Sequence, residues 1–156
     1  MNKKTFAGAP HGAAAYDRGT KQMAAILIVD DEDAVRDVLY DLFSEEHMCH
    51  VAATAEQALG FLGDQSYDVV LTDISMPGLS GLELLGRLRQ EQPDTPVIVI
   101  SGIGDQTHAE GLKRLGAFDY ILKPFRLEAV EESVARALEH IRALKGRGGG
   151  GAQGTA

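Results

Sequence analysis

Residues 68–81 read DVVLTDISMPGLSG, and the fold follows from this stretch. Asp68 to Thr72 is a short, almost continuously apolar run that breaks off at an aspartate, Asp73, and then passes through Met76, Pro77 and Gly78, a sequence that favours a turn. Ser80, with Glu83 three positions on, has the spacing of a capping box, so a helix follows the loop. This is one strand-loop-helix unit. The same unit recurs on either side: Ala25 to Val29 (AILIV) and His50 to Ala53 precede it, and Val97 to Ser101 (VIVIS) and Phe118 to Leu122 follow it. Thr54 and Gln57 mark a second helix start by the same spacing. The last helix, about Arg126 to Lys145, places Leu127, Val130, Val134, Leu138, Ile141 and Leu144 on one stripe, facing the core or a second copy, with Glu132 and Arg136 paired one turn apart outside it. Strands that alternate with helices, three of them apolar on both faces, predict an α/β domain on a parallel sheet.

The 156 residues, 44% of them hydrophobic, suffice for one core plus tails. A formal net charge of −8 argues against a surface built to hold nucleic acid or anionic lipid. The single cysteine, Cys49, rules out an internal disulfide and is consistent with a reducing cytoplasm. Residues 1–23 lack the apolar run of a signal peptide and read as a disordered extension, with Met23 a candidate natural start. Residues 146–156, GRGGGGAQGTA, read as a disordered glycine-rich tail. The domain proper is therefore expected over residues 24–145. The five histidines form no phosphotransfer motif and are expected on surfaces or at element ends.

In an open parallel sheet, the functional site lies where loops leave the carboxyl ends of the strands. Here those ends carry Asp30 and Asp31, Asp73, Ser101 and Lys123. Three carboxylates gathered in one place repel each other unless a cation neutralises them. An all-oxygen donor set without His or Cys suits magnesium. Taken singly, Asp31 reads equally well as an N-cap, Asp73 as a turn residue, and Ser101 before Gly102 as turn chemistry. A lysine that ends an apolar strand before Pro124 is harder to explain by solubility alone. Together the five residues are suited to forming an acyl phosphate on a carboxylate.

The motifs VDDE (Val29 to Glu32), LTDISMPGLSG (Leu71 to Gly81), VISG (Val99 to Gly102) and DYILKPF (Asp119 to Phe125) resemble those of response-regulator receiver domains, with DYILKPF closest to nitrogen-regulator-type receivers. The spacings also agree: Asp73 lies 42 positions after Asp31, Ser101 28 after Asp73, and Lys123 22 after Ser101. The resemblance implies a flavodoxin-like fold of five strands in the order 2-1-3-4-5. It implies Asp73 as the phosphoacceptor, with Asp31, Asp73 and the backbone carbonyl of Ser75 as direct magnesium ligands and Asp30 acting through water. Lys123 would pair with the phosphoryl group, and Ser101 and Tyr120 would form the switch. The implied partners are a sensor histidine kinase or histidine phosphotransfer protein, a downstream protein on the face of helix four, strand five and helix five, and a second copy in a homodimer, with no direct nucleic-acid or membrane contact. Two other functions fit an aspartate site: a magnesium-dependent aspartyl phosphohydrolase, whose second aspartate two residues after the nucleophile has no counterpart in Asp73-Ile74-Ser75, and a scaffold that does not switch.

Overall fold

The computed structural model describes residues 23–102 and 106–155. Its strands are β1 (Ala25–Val29), β2 (Met48–Ala52), β3 (Val69–Thr72), β4 (Val97–Ser101) and β5 (Asp119–Leu122). Its helices are α1 (Asp33–Phe43), α2 (Ala55–Asp64), α3 (Gly81–Glu91), α4 (Gln106–Arg114) and α5 (Leu127–Thr155). All strand pairs are parallel and the order is β2-β1-β3-β4-β5, as the resemblance implies.

The period-2 alternation of strands divides the core in two. Leu27, Val29, Val70, Val97 and Val99 point to one side, where Ala58 and Leu62 of α2, Leu84, Leu85 and Leu88 of α3 and Leu112 of α4 cover them. Ile26, Ile28, Val69, Leu71, Ile98 and Ile100 point to the other, under Leu39 and Phe43 of α1 and Val130, Val134 and Leu138 of α5. The central strands read as unbroken apolar runs because neither face meets water.

Helix starts follow the capping spacings. Ser80 Oγ accepts from Glu83 N at 3.2 Å and Glu83 Oε1 accepts from Ser80 N at 3.0 Å, a complete box. Thr54 Oγ1 accepts from Gln57 N at 3.0 Å, but Gln57 Oε1 turns back one residue further, to Ala53 N at 2.7 Å. Strand β2 begins at Met48, two residues before the expected start, because its backbone is already in register with Ala25 of β1. Strand β3 begins one residue late, although Asp68 is already tied to β1: its N donates to Ala25 O at 2.8 Å and its Oδ2 accepts from Ala25 N at 2.8 Å.

The apolar stripe of α5 faces the core, with two corrections. Leu127 is 40% exposed, since the helix reaches the sheet only at Val130. Arg136 pairs with Asp119 at 2.6 Å rather than with Glu132, and Ser133 donates to the same carboxylate at 2.7 Å. Asp119, half-buried at the start of β5 and held by the Ser133 hydroxyl as well, is a better-ordered acceptor than a solvated partner within the helix. The α5 backbone is helical to Thr155 and takes in the glycine-rich run from residue 146. The N-terminal extension lies outside the described residues, apart from Met23.

His50 departs from the expected surface placement. It is 3% exposed in β2, stacked on Phe61 at a 4.8 Å centroid distance, with Nδ1 2.5 Å from the Tyr67 hydroxyl and Nε2 without a partner. Burial holds its pKa below the ordinary 6.5. A histidine with a depressed folded pKa binds fewer protons folded than unfolded, so stability is lost as pH falls below about 6.5 toward the folded value. His50→Gln should remove up to about 1.4 kcal/mol per pH unit of slope in that window, measured by urea unfolding at a series of pH values. An unchanged slope would assign the acid sensitivity elsewhere.

Candidate active site

The crevice lies at the carboxyl ends of β1 and β3, the point where chain connections diverge to the two sides of the sheet. Asp30 extends the β1 ladder by one bond, from its N to Ala52 O at 3.1 Å, and Asp73 does the same for β3, from its N to Val29 O at 2.9 Å. Neighbouring strands therefore bring the two carboxylates side by side. Asp30 is 2% exposed and Asp73 6%.

Each aspartate assigns its two oxygens different tasks. Oδ1 of Asp30 accepts from Glu32 N at 2.9 Å, and Oδ1 of Asp73 accepts from Ser75 N at 3.2 Å. Their Oδ2 atoms both accept from Lys123 Nζ, at 2.9 and 3.1 Å. Lys123 reaches them because its own N bonds Ser101 O at 2.8 Å, which continues β5 alongside β4. Its peptide bond to Pro124 is cis. Asp31 is exposed, and one oxygen from each of Asp30, Asp31 and Asp73 falls within a 4.8 Å span.

Sequence reasoning left Asp31 open as an N-cap. The structure decides against that: Glu32 is the N-cap of α1 and makes no side-chain cap bond. Glu32 itself had no expected role, yet its Oε1 accepts from Lys123 Nζ at 2.8 Å. Nothing in the linear pattern separates it from an ordinary acidic residue at a helix start, since its partner lies on β5. Ser101, fully buried, ends β4 opposite Leu122. Tyr120 is half-buried and packs against the core on the α2–α3–α4 side. Ser75 is exposed on the loop after Asp73.

Burial raises the Asp30 carboxyl pKa, and the Asp73 charge adds to this, against the Glu32 N–H and Lys123. Burial works against the Lys123 ammonium, but its hydrogen bonds to Glu32, Asp30 and Asp73 outweigh that and hold its pKa above the ordinary value. The Lys123 hydrogen bond lowers the pKa of exposed Glu32. Four carboxylates thus face one ammonium. The surplus negative charge and the all-oxygen donors fit a hard divalent cation such as magnesium, which takes few carboxylates and keeps waters.

Fold and site define a doubly wound α/β domain with an acidic, cation-seeking crevice at its switch point. The chain belongs to the response regulator receiver domain family, whose sequence model matches residues 26–135. It is 41% identical over 115 residues to the regulatory protein AtoC of Escherichia coli, covering 73% of this chain and 25% of that one. It is similar to NtrX from Brucella abortus, with a TM-score of 0.76, 35% identity, and 81% of this chain and 29% of that one covered. A receiver domain protein from Clostridium thermocellum superposes with a TM-score of 0.73 at 29% identity, covering 78% of this chain and 99% of that one. The chain spans about a quarter of the length of AtoC and of the similar regulators FleR and NtrC. Among the described residues, no helix is long and apolar enough to cross a membrane.

Proposed function

We propose that Asp73 accepts a phosphoryl group from a phosphohistidine of a sensor kinase or phosphotransfer protein, and that this changes a protein-binding surface. The observation that carries the reading is the Lys123 ammonium, held between Asp30 and Asp73 at 2.9 and 3.1 Å beside the acidic trio. A carboxylate oxygen of Asp73 forms the new bond to phosphorus as the phosphorus–nitrogen bond of the donor breaks, and the departing imidazole takes up a proton. Lys123 offsets charge on the incoming group, and the Ser101 hydroxyl is a donor for one of its oxygens. Magnesium, held by Asp31, Asp73 and the Ser75 carbonyl with Asp30 acting through water, supplies further positive charge at the phosphoryl oxygens when bound.

The switch runs through Ser101 and Tyr120, whose strands β4 and β5 are paired. A phosphoryl group shifts the population only through contacts that differ between states, and these two side chains supply the difference. Leu122, which ends β5, and Leu127, which starts α5, are 49% and 40% exposed, apolar side chains on the strand-five and helix-five face that a downstream protein or a second copy would cover. A phosphohydrolase of the aspartyl type is disfavoured because Ser75 stands two residues after Asp73, where that chemistry needs an acid.

Acetyl phosphate with magnesium should add one phosphoryl mass to the wild-type chain and none to Asp73→Asn, read by intact-mass spectrometry. An adduct that survives the substitution would move the acceptor elsewhere. No adduct on the wild type would favour the non-switching scaffold.

A further inference from the structure

The loop between β3 and α3 carries Asp73 and Ser75, and one of its backbone groups is held from a different helix. Ile74 and Met76 anchor its first half by burying their side chains in the core, each 8% exposed. Its second half, Pro77 to Leu79, is exposed or half-buried. There, Leu79 N donates to Glu56 Oε2 at 3.1 Å, across 23 positions of sequence, from the first turn of α2. Gly78 shows how closely the loop passes this carboxylate: a Cβ at that position would lie 3.0 Å from Glu56 Oε2, and its φ of +79° lies in the left-handed region that favours glycine. The backbone is thus laid over the Glu56 carboxylate.

We propose that Glu56 is a positioning residue for the aspartate loop, a latch from α2 that holds Leu79 and so presets the place of the Ser75 carbonyl. This rests on the phosphoacceptor reading, in which that carbonyl is a magnesium ligand. Without the latch the loop samples more conformations, and cation binding must order it. Glu56 lies outside the acidic crevice and is exposed, so its loss should leave the fold intact. The charge of Glu56 also favours the α2 N-terminus, which a conservative variant separates from the latch. Glu56→Gln removes the charge and keeps an oxygen acceptor, whereas Glu56→Ala removes both.

Magnesium titration followed by backbone amide shifts tests this without reference to phosphorylation. Glu56→Ala should raise the half-saturating magnesium concentration about fivefold, the equivalent of one hydrogen bond of about 1 kcal/mol, and speed hydrogen exchange at the Leu79 amide. Glu56→Gln should stay within about twofold of wild type on both measures, as expected for an acceptor that is kept. The latch is overturned if Glu56→Ala binds magnesium like the wild type, or if Glu56→Gln is as defective as Glu56→Ala. Wild-type protein that takes neither magnesium nor a phosphoryl group overturns the underlying reading and the latch with it. Normal wild-type loading with an indifferent Glu56→Ala overturns the latch alone.

Discussion

Gly81→Ala is expected to cost about 3 kcal/mol of folding stability, near the upper end for overpacking, because the obstruction is backbone and cannot rotate away. A Cβ at Gly81 would lie 1.9 Å from Asp73 O and 2.8 Å from Ile74 Cα. Gly81 N meanwhile donates to Ile74 O at 3.0 Å, so the start of α3 is fastened directly beneath the aspartate loop. To relieve the contact the chain must lift Asp73 or displace the first turn of α3. The substitution should therefore slow phosphorylation at Asp73 as well as lower the urea midpoint. Gly86, in the same helix, is the internal control: nothing lies within 4 Å of its Cβ position. Gly86→Ala should stabilise by roughly 0.5–1 kcal/mol through helix propensity. If the two substitutions had the same sign of effect, the close approach at Gly81 would not be what limits that position.

Lys123→Ala should produce the second large effect. The Lys123 side chain is 16% exposed and its partners Asp30 and Asp73 are 3% and 7% exposed, so its removal leaves two adjacent, nearly buried carboxylates without their cation. Breaking a fully buried pair costs about 3–5 kcal/mol, and the solvent contact at this crevice reduces the expectation to about 2–3 kcal/mol at neutral pH without magnesium. The sign with pH follows from Asp30, whose pKa burial already raises above 3.8 and which would keep the Glu32 N–H but lose the lowering effect of Lys123. A carboxylate with a raised folded pKa contributes stability below its unfolded value and loses it as pH rises through the folded value. Lys123→Ala should accordingly be closest to wild type near pH 4 and fall behind as pH rises. Magnesium should recover part of the loss, because a cation that binds only the folded state stabilises it by mass action. Thermal unfolding across pH, with and without magnesium, checks both trends, and a variant matching wild type at pH 7 without magnesium would contradict the charge argument.

The local patterns were legible wherever the cause was local. The apolar runs of β1 and β4 and the Ser80–Glu83 box depend on neighbours within a few positions, and their bounds emerge as expected. Pairings that compete across the chain were not legible. Arg136 has Glu132 one turn away in sequence, but its partner is Asp119 on β5. Asp31 stands where an N-cap was plausible, yet α1 starts after Glu32, and Glu32 turns to Lys123, 91 positions on. His50 gave no hint of burial, because its stacking partner Phe61 and hydrogen-bonding partner Tyr67 belong to α2 and to the approach to β3.

By itself, the amino-acid order determined the alternation of strands and helices and the identity of the acidic, hydroxyl and ammonium groups at the strand ends, since periodicity and capping are short-range effects. Only the tertiary structure decided how those groups share their atoms. The order and parallel register of β1, β3, β4 and β5 place Asp30, Asp73 and Lys123 within hydrogen-bonding distance, and the packing of α2 beside the aspartate loop brings Glu56 to Leu79. Contacts of this kind depend on distances closed by tertiary packing between residues far apart in the chain, and no local preference encodes them.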